Sequence, residues 1–126
     1  MQRHKSKLIE LRPDIKYKEA QESLVLEKFQ NEVLRSIIKF QHNVIILFAN
    51  NDKHFPKMNS SKPDEENFNT IRAYFEKNKP LKNMIIGIVV GLLTDDEIMV
   101  YFDHTKELNK RISSMIVQRV FDTFKA

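Results

Sequence analysis

Apolar side chains recur at helical spacing from about residue 19 to about residue 50. One line repeats every seven residues, with further members in the intervening turns: Leu26, Phe29, Val33, Ile37, Phe40, Val44 and Leu47. A second line flanks the first: Leu34, Ile38, Ile45 and Phe48. Such spacings place side chains on one face of an α-helix. The pattern predicts a helix of about 30 residues, roughly 45 Å long. A helix of this length either bends or has its apolar C-terminal half covered by a second copy.

A polar connection at 51–62 leads into a second predicted helix, which runs to about Asn78. Ser60 or Ser61 is its expected cap, and Pro63 lies in its first turn. That turn also holds an acidic triplet, which complements the positive end of the helix dipole: Asp64, Glu65 and Glu66.

Further helix signals occur near both ends of the chain. Residues 2–11 are predicted to form a short helix that ends before Pro13. Thr94 and Glu97 have the spacing of a capping box, which opens a helix that ends at the short polar residues 103–105. The last helix is expected from about Lys106 to Phe124, with these residues facing inward: Leu108, Ile112, Met115, Ile116, Val120 and Phe124.

The two glycines of the chain lie four residues apart in the apolar run 84–93. If this run is a helix beginning near Pro80, Gly87 and Gly91 share a face that another helix can approach closely. A β-hairpin at about 84–102 is the alternative, because residues 85–90 are rich in β-branched side chains. Two glycines weaken a strand, and the turn between the two segments contains none. We therefore predict an all-α bundle of four to six helices with one long central helix, and keep an α+β fold with that hairpin as the alternative.

The sequence contains more apolar helix surface than one small bundle readily buries. Segments 44–49 and 84–93 are apolar nearly all round, and helices of this kind are buried on every side. A small monomer can bury one central helix in this way but hardly two. We therefore expect a homodimer, or else another protein partner. The expected helix-packing or interface positions are Gly87, Gly91, Ile45 and Phe48.

Composition and charge narrow the classes of protein to consider. The 126 residues suit one domain spanning 1–126, and the absence of cysteine excludes disulfides and thiolate chemistry. No stretch approaches the roughly 20 apolar residues that cross a bilayer. Because no secretory signal is recognised either, we expect a cytoplasmic protein without a membrane span. The net charge of +4 comes from a basic N-terminal arm at 1–18, and the remaining residues are balanced.

The sequence contains no motif that carries a known chemistry. Phosphate-binding glycine loops, paired metal-ligand histidines and nucleophile elbows are all missing, so we expect no catalytic residue, cofactor or metal. Asp103, His104 and Tyr101 are the polar residues most suited to acid–base chemistry, although a helix break accounts for the first two. The last helix carries five cations, which a solvated face explains, so nucleic acid is not an expected partner: Lys106, Lys110, Arg111, Arg119 and Lys125.

These observations favour a non-catalytic helical interaction module that self-associates. One alternative is an enzyme or small-molecule binder with a pocket between helices. Another is a nucleic-acid-associated protein that acts through the basic arm at 1–18.

Four segments of the chain resemble a family of short uncharacterised bacterial helical proteins: 31–35, 37–41, 108–112 and 115–119. The similarity runs from about residue 24 to the end and includes the apolar glycine run before a Thr-initiated segment. Some members carry an automatic glyoxalase label. Glyoxalases of the paired βαβββ type hold a divalent metal with His and Glu on strands, and this sequence shows neither those strands nor that ligand spacing. The resemblance therefore implies no catalytic residue and no glyoxalase activity.

Overall fold

The computed structural model describes residues 20–125, and all regular structure in that part of the chain is helical. Six helices follow one another: α1 (20–40), α2 (His42–Asn51), α3 (Asp64–Lys77), α4 (Lys79–Val90), α5 (Asp95–Asp103) and α6 (Thr105–Phe124). The all-α prediction is confirmed. The alternative hairpin is not found, because its two segments lie in α4 and α5. The short helix predicted at 2–11 and the basic arm at 1–18 lie outside the described residues.

Local capping signals set the beginning of α5 as predicted. The Thr94 hydroxyl oxygen accepts a hydrogen bond from the Glu97 N–H at 3.3 Å, and the Glu97 carboxylate accepts one from the Thr94 N–H at 2.8 Å. The capping box is therefore complete. Asn78 begins α4 in a similar way, since its side-chain oxygen accepts from the Leu81 N–H at 3.3 Å.

The beginning of α3 differs from the prediction. Neither Ser60 nor Ser61 caps this helix, which starts directly after Pro63 without a side-chain cap. The N–H and hydroxyl of Ser61 instead donate to the Asn59 side-chain oxygen, at 3.0 and 2.6 Å. Ser61 thus stabilises the preceding turn. The prediction that Pro63 lies in the first turn is also wrong, because Pro63 is the N-cap residue, and the first turn begins with Asp64, Glu65 and Glu66, which complement the helix dipole.

Helix α1 contains a π-helical segment, Gln30–Leu34, that changes which apolar residues face the core. Upstream of it Leu26 and Phe29 are buried, and from its end onward Leu34 and Ile38 are buried. Phe29 and Leu34 are five residues apart, which is the spacing that a π-helical turn brings together. The buried line therefore passes from the first predicted stripe to the second within this turn.

This switch leaves the end of the predicted seven-residue stripe in solvent. Phe40 is 79% exposed and Leu47 is 67% exposed, whereas Ile45 on α2 is fully buried. Phe40, Val44 and Leu47 therefore do not lie on the core side that Leu26 and Phe29 occupy, because one extra residue rotates the helix by about 100°. Cover of this apolar half by a second copy stays a prediction. The predicted long helix is also interrupted, since Gln41 has φ −90° and ψ 11° between α1 and α2.

The core of the bundle lies around α6, which contacts α1, α2, α3, α4 and α5. The helices α2 and α4 also pack against each other, so each leaves an outer face uncovered. One small chain was expected to bury hardly more than one of these two helices completely, and burial of the uncovered faces against another chain stays a prediction. Residues of α6 that are buried in the core are Leu108, Ile112, Ile116, Val117, Val120 and Phe121.

Candidate functional site

The three residues of the predicted polar site do not form a joint site. The Tyr101 hydroxyl donates to the Asn109 side-chain oxygen at 2.6 Å, which ties α5 to α6. His104 is the single residue between these helices, and Asp103 is exposed. No hydrogen bond or ion pair joins Asp103 to His104 within residues 20–125. Asp103 and His104 thus mark the end of α5. The described residues also contain no group of three or more His, Cys, Asp or Glu side chains that could hold a metal ion.

Gly87 lies on an exposed face of α4, and no other helix of the described chain closes over it. A Cβ on Gly87 would meet no atom beyond its own turn of helix within 4 Å. Gly91 directly follows α4, and a Cβ there would lie 3.1 Å from the carbonyl oxygen of Gly87. The expected close crossing within one chain is therefore wrong, because α4 turns Ile85 and Val89 to the core. A contact between two chains at Gly87 stays a prediction.

Replacing Gly87 with alanine is expected to stabilise the fold by about 0.5–1 kcal/mol, because glycine inside a helix is less favourable than alanine by that amount. The space for the added methyl group is open. Chemical denaturation followed by circular dichroism measures the free energy of unfolding. Gly91→Ala is the matched control and is expected to bring no gain, since its methyl group would crowd a carbonyl oxygen. The gain is expected at protein concentrations at which the chain is a monomer, and a less stable Gly87→Ala monomer would contradict the open face.

Exposed apolar side chains of α2 and α4 form one surface, which we call the apolar patch: Val44, Leu47, Phe48 and Met84. The three members on α2 lie three and four residues apart and therefore share its outer face. Phe48 and Met84 line one groove, which joins the two helices into a continuous surface. Phe40, at the end of α1, lies four residues before Val44 and adds an exposed ring nearby in the chain.

The four members of the apolar patch are uncharged, and the groove between Phe48 and Met84 is also lined by Asp52 and Lys53, whose charges are opposite. From His42 to Asn51, α2 has no Asp, Glu, Lys or Arg. The amides of Asn50 and Asn51 border Leu47 and Phe48. Of the predicted interface positions on α2, Phe48 reaches the surface whereas Ile45 is fully buried. On α4, Gly87 lies one turn after Met84 and therefore borders the patch.

A second surface feature is the α1/α6 groove, of about 600 Å³, where the π-helical segment packs against α6. Arg111 is held here at two points: its Nε donates to the Glu107 carboxylate at 3.2 Å, and its Nη1 donates to the Gln30 side-chain oxygen at 2.9 Å. The Arg119 Nη1 lies 3.2 Å from the His42 Nδ1, which links α6 to α2. Two guanidinium groups of the groove are thus positioned by residues from other helices.

Positive charge continues across α6 into a second groove, the α3/α6 groove, of about 570 Å³. An exposed row of α6 separates the two grooves: Lys106, Lys110, Ser114 and Gln118. The far groove adds Arg72 from α3 and Lys82 from α4, and the α1/α6 groove adds Arg35. Sequence reasoning identified the cations of α6 but missed these three, because no local pattern shows that they lie beside α6.

None of the described helices is long and apolar enough to cross a membrane. The resemblance to a family of short bacterial proteins stays a prediction. Comparison with known proteins shows that no protein-family model, curated protein or solved structure matches this chain.

Proposed function

We propose that the protein is a non-catalytic interaction module that self-associates through the apolar patch. The observation that carries this proposal is the uncovered face of α2 and α4, where Val44, Leu47, Phe48 and Met84 are in contact with solvent. Contiguous exposed apolar surface of this kind is typical of protein interaction sites. Burying it against another chain removes apolar area from water, at about 25 cal/mol per Å².

A second copy of the chain suits the apolar patch because the patch is uncharged. In a two-fold dimer the same surface meets itself, so any net charge on it would face an equal charge. The residues of the patch carry no charge, and Asp52 and Lys53 beside Phe48 have opposite signs, so this surface has no net charge. The Asn50 and Asn51 amides at its border both donate and accept hydrogen bonds, and can therefore pair with the same groups of a partner. The open space above Gly87 also leaves room for a partner's helix.

The absence of catalysis is part of the same proposal. It is supported by the different structural roles of the three polar residues. Tyr101 forms a hydrogen bond from α5 to α6, whereas Asp103 and His104 lie at the end of α5. The cytoplasmic location remains a prediction from the sequence.

Replacing Leu47 with glutamate is expected to weaken the dimer by on the order of 100-fold or more, because like charges placed opposite each other at an interface cost several kcal/mol. Sedimentation velocity over a wide range of protein concentration measures the dissociation constant. The parent chain is expected to reach twice its mass of 15.0 kDa, and Leu47→Glu is expected to sediment as a single chain.

Met99→Glu is the matched control, since Met99 on α5 is also a strongly exposed apolar residue but lies outside the apolar patch. This variant is expected to dimerise like the parent. A parent that stays at 15.0 kDa at the highest concentration would contradict self-association. Loss of the dimer in Met99→Glu but not in Leu47→Glu would contradict the assignment to the apolar patch.

A further inference from the structure

Charge is unevenly distributed over the described part of the chain. Residues 20–125 carry 15 basic and 14 acidic side chains, so this part is nearly neutral. Seven of the basic side chains line the two grooves beside α6, against three acidic ones, Glu76, Glu107 and Asp122. We call the surface formed by these grooves and the exposed row of α6 the basic face. Its main cations are Arg35, Arg72, Lys82, Lys106, Lys110 and Arg119.

Most cations of the basic face have no counter-charge within the described residues. The two ion pairs found in residues 20–125 are local: Arg111 with Glu107 at 3.2 Å, and Lys125 with Asp122 at 3.9 Å. Two of the three acidic side chains are therefore already engaged. The remaining cations are available to an anionic partner, which would gain the interaction without displacing an internal ion pair.

The cations spread along and across α6 and do not converge on one point. Lys106 and Arg119 are 13 residues apart on this helix, which corresponds to about 20 Å at 1.5 Å per residue. One strand of B-DNA places a phosphate about every 3.4 Å along its axis. Several phosphates therefore fall within the length of the basic face, whereas a single small anion would use only part of it.

We propose that the basic face binds the phosphate backbone of duplex DNA, with the exposed row of α6 directed into a groove. The major groove is about 12 Å wide and admits an α-helix. Arg35 on one side of the row, and Arg72 and Lys82 on the other, are then placed to meet phosphates of the two strands that flank the groove. Ser114 in the row provides an uncharged hydrogen-bonding group toward the bases, whereas the Gln118 amide already donates to the Asp122 carboxylate at 3.0 Å.

A duplex fits the basic face better than a single strand does. Single strands are bound largely by stacking their bases on exposed aromatic rings. The one aromatic residue that lines the two grooves in the described part of the chain is Phe68. Its ring is half-buried and packs edge-on against Phe121, with 5.5 Å between the ring centres. The basic face can therefore bind nucleic acid through charge and hydrogen bonds, and both kinds of interaction suit contact with the phosphate backbone of a duplex.

The test is fluorescence anisotropy of the full chain with a labelled DNA duplex of about 20 base pairs, titrated at several salt concentrations. A Lys110→Gln/Arg72→Gln double variant is expected to bind on the order of tenfold more weakly. Its plot of log affinity against log salt should be shallower by about two, because two phosphate contacts are lost. Lys57→Gln/Lys62→Gln is the matched control, since it removes the same charge from exposed positions outside both grooves and should bind like the parent.

Several results would overturn the proposal. The first is that the parent chain does not bind the duplex. The second is that the Lys110→Gln/Arg72→Gln variant binds the duplex as tightly as the parent does, which would assign binding to the arm at 1–18. Equal or tighter binding of a single strand of the same length would contradict the fit to a duplex. Displacement of the duplex by tripolyphosphate at matched phosphate concentration would identify a free polyphosphate as the ligand, and displacement by polyglutamate would point to an acidic protein. All four substituted residues are exposed, so melting curves like the parent's are expected and confirm that the variants are folded.

Discussion

Inserting one alanine between Asn31 and Glu32 is expected to lower the free energy of unfolding by about 3–6 kcal/mol. The π-helical segment already holds one residue more than an α-helix accommodates between Phe29 and Leu34, so another residue cannot be absorbed there. The preceding part of α1 would rotate by about 100° and carry Leu26 and Phe29 away from the core. Burial of each such side chain contributes about 1.5–3 kcal/mol.

Deleting Asn31 is the matched control, and is expected to change the free energy of unfolding by less than about 1 kcal/mol. Without this residue the segment can become a regular α-helix in which Phe29 is four residues before Leu34 and Leu26 is seven before it. These spacings keep both side chains on the core face. Asn31 is itself exposed, and its side chain accepts one long hydrogen bond, from Arg35 at 3.4 Å.

Denaturation curves of the insertion and deletion variants, followed by circular dichroism, compare the two directly. An equal loss of stability in both would show that the π-helical turn does not set the register of α1.

Replacing Phe75 with alanine is expected to destabilise the protein by about 3–5 kcal/mol, because the change removes buried apolar area and leaves a cavity. Phe75 on α3 is 2% exposed, and its ring packs edge-on against Tyr74 with 5.4 Å between the ring centres. Urea denaturation measures the loss as a lower midpoint with an unchanged slope.

Phe40→Ala is the matched control for the core substitution, since it removes the same ring from a position that is 79% exposed. Its expected effect is within about 0.5 kcal/mol. A loss comparable to that of Phe75→Ala would show that Phe40 is covered in solution, and would contradict the exposed position described above.

Local signals predicted most of the helix ends. The Thr94–Glu97 capping box and the break at His104 are decided by hydrogen bonds between residues close in sequence, so they are visible without a fold. The cap of α3 was predicted wrongly, because Ser61 could bond to Asn59 as readily as to the helix. Short polar residues often have two such local choices.

The inward face of α1 and α2 could not be predicted in the same way. Both stripes of this segment are apolar, so periodicity alone does not tell which of them meets the core after Phe29. The π-helical turn makes that choice, and nothing in the composition of Gln30–Leu34 announces it. The same turn brings the Gln30 side chain to Arg111, a contact between residues far apart in sequence.

The sequence by itself determined that this protein is helical and where most helices begin and end, because those properties depend on side chains a few residues apart. Only the tertiary structure decided which apolar residues are left uncovered and which cations lie together. The apolar patch combines α2 with α4, and the basic face combines α6 with α1, α3 and α4. Each is a product of which helices pack side by side, and that depends on the burial of the whole core and not on any local stretch of the chain.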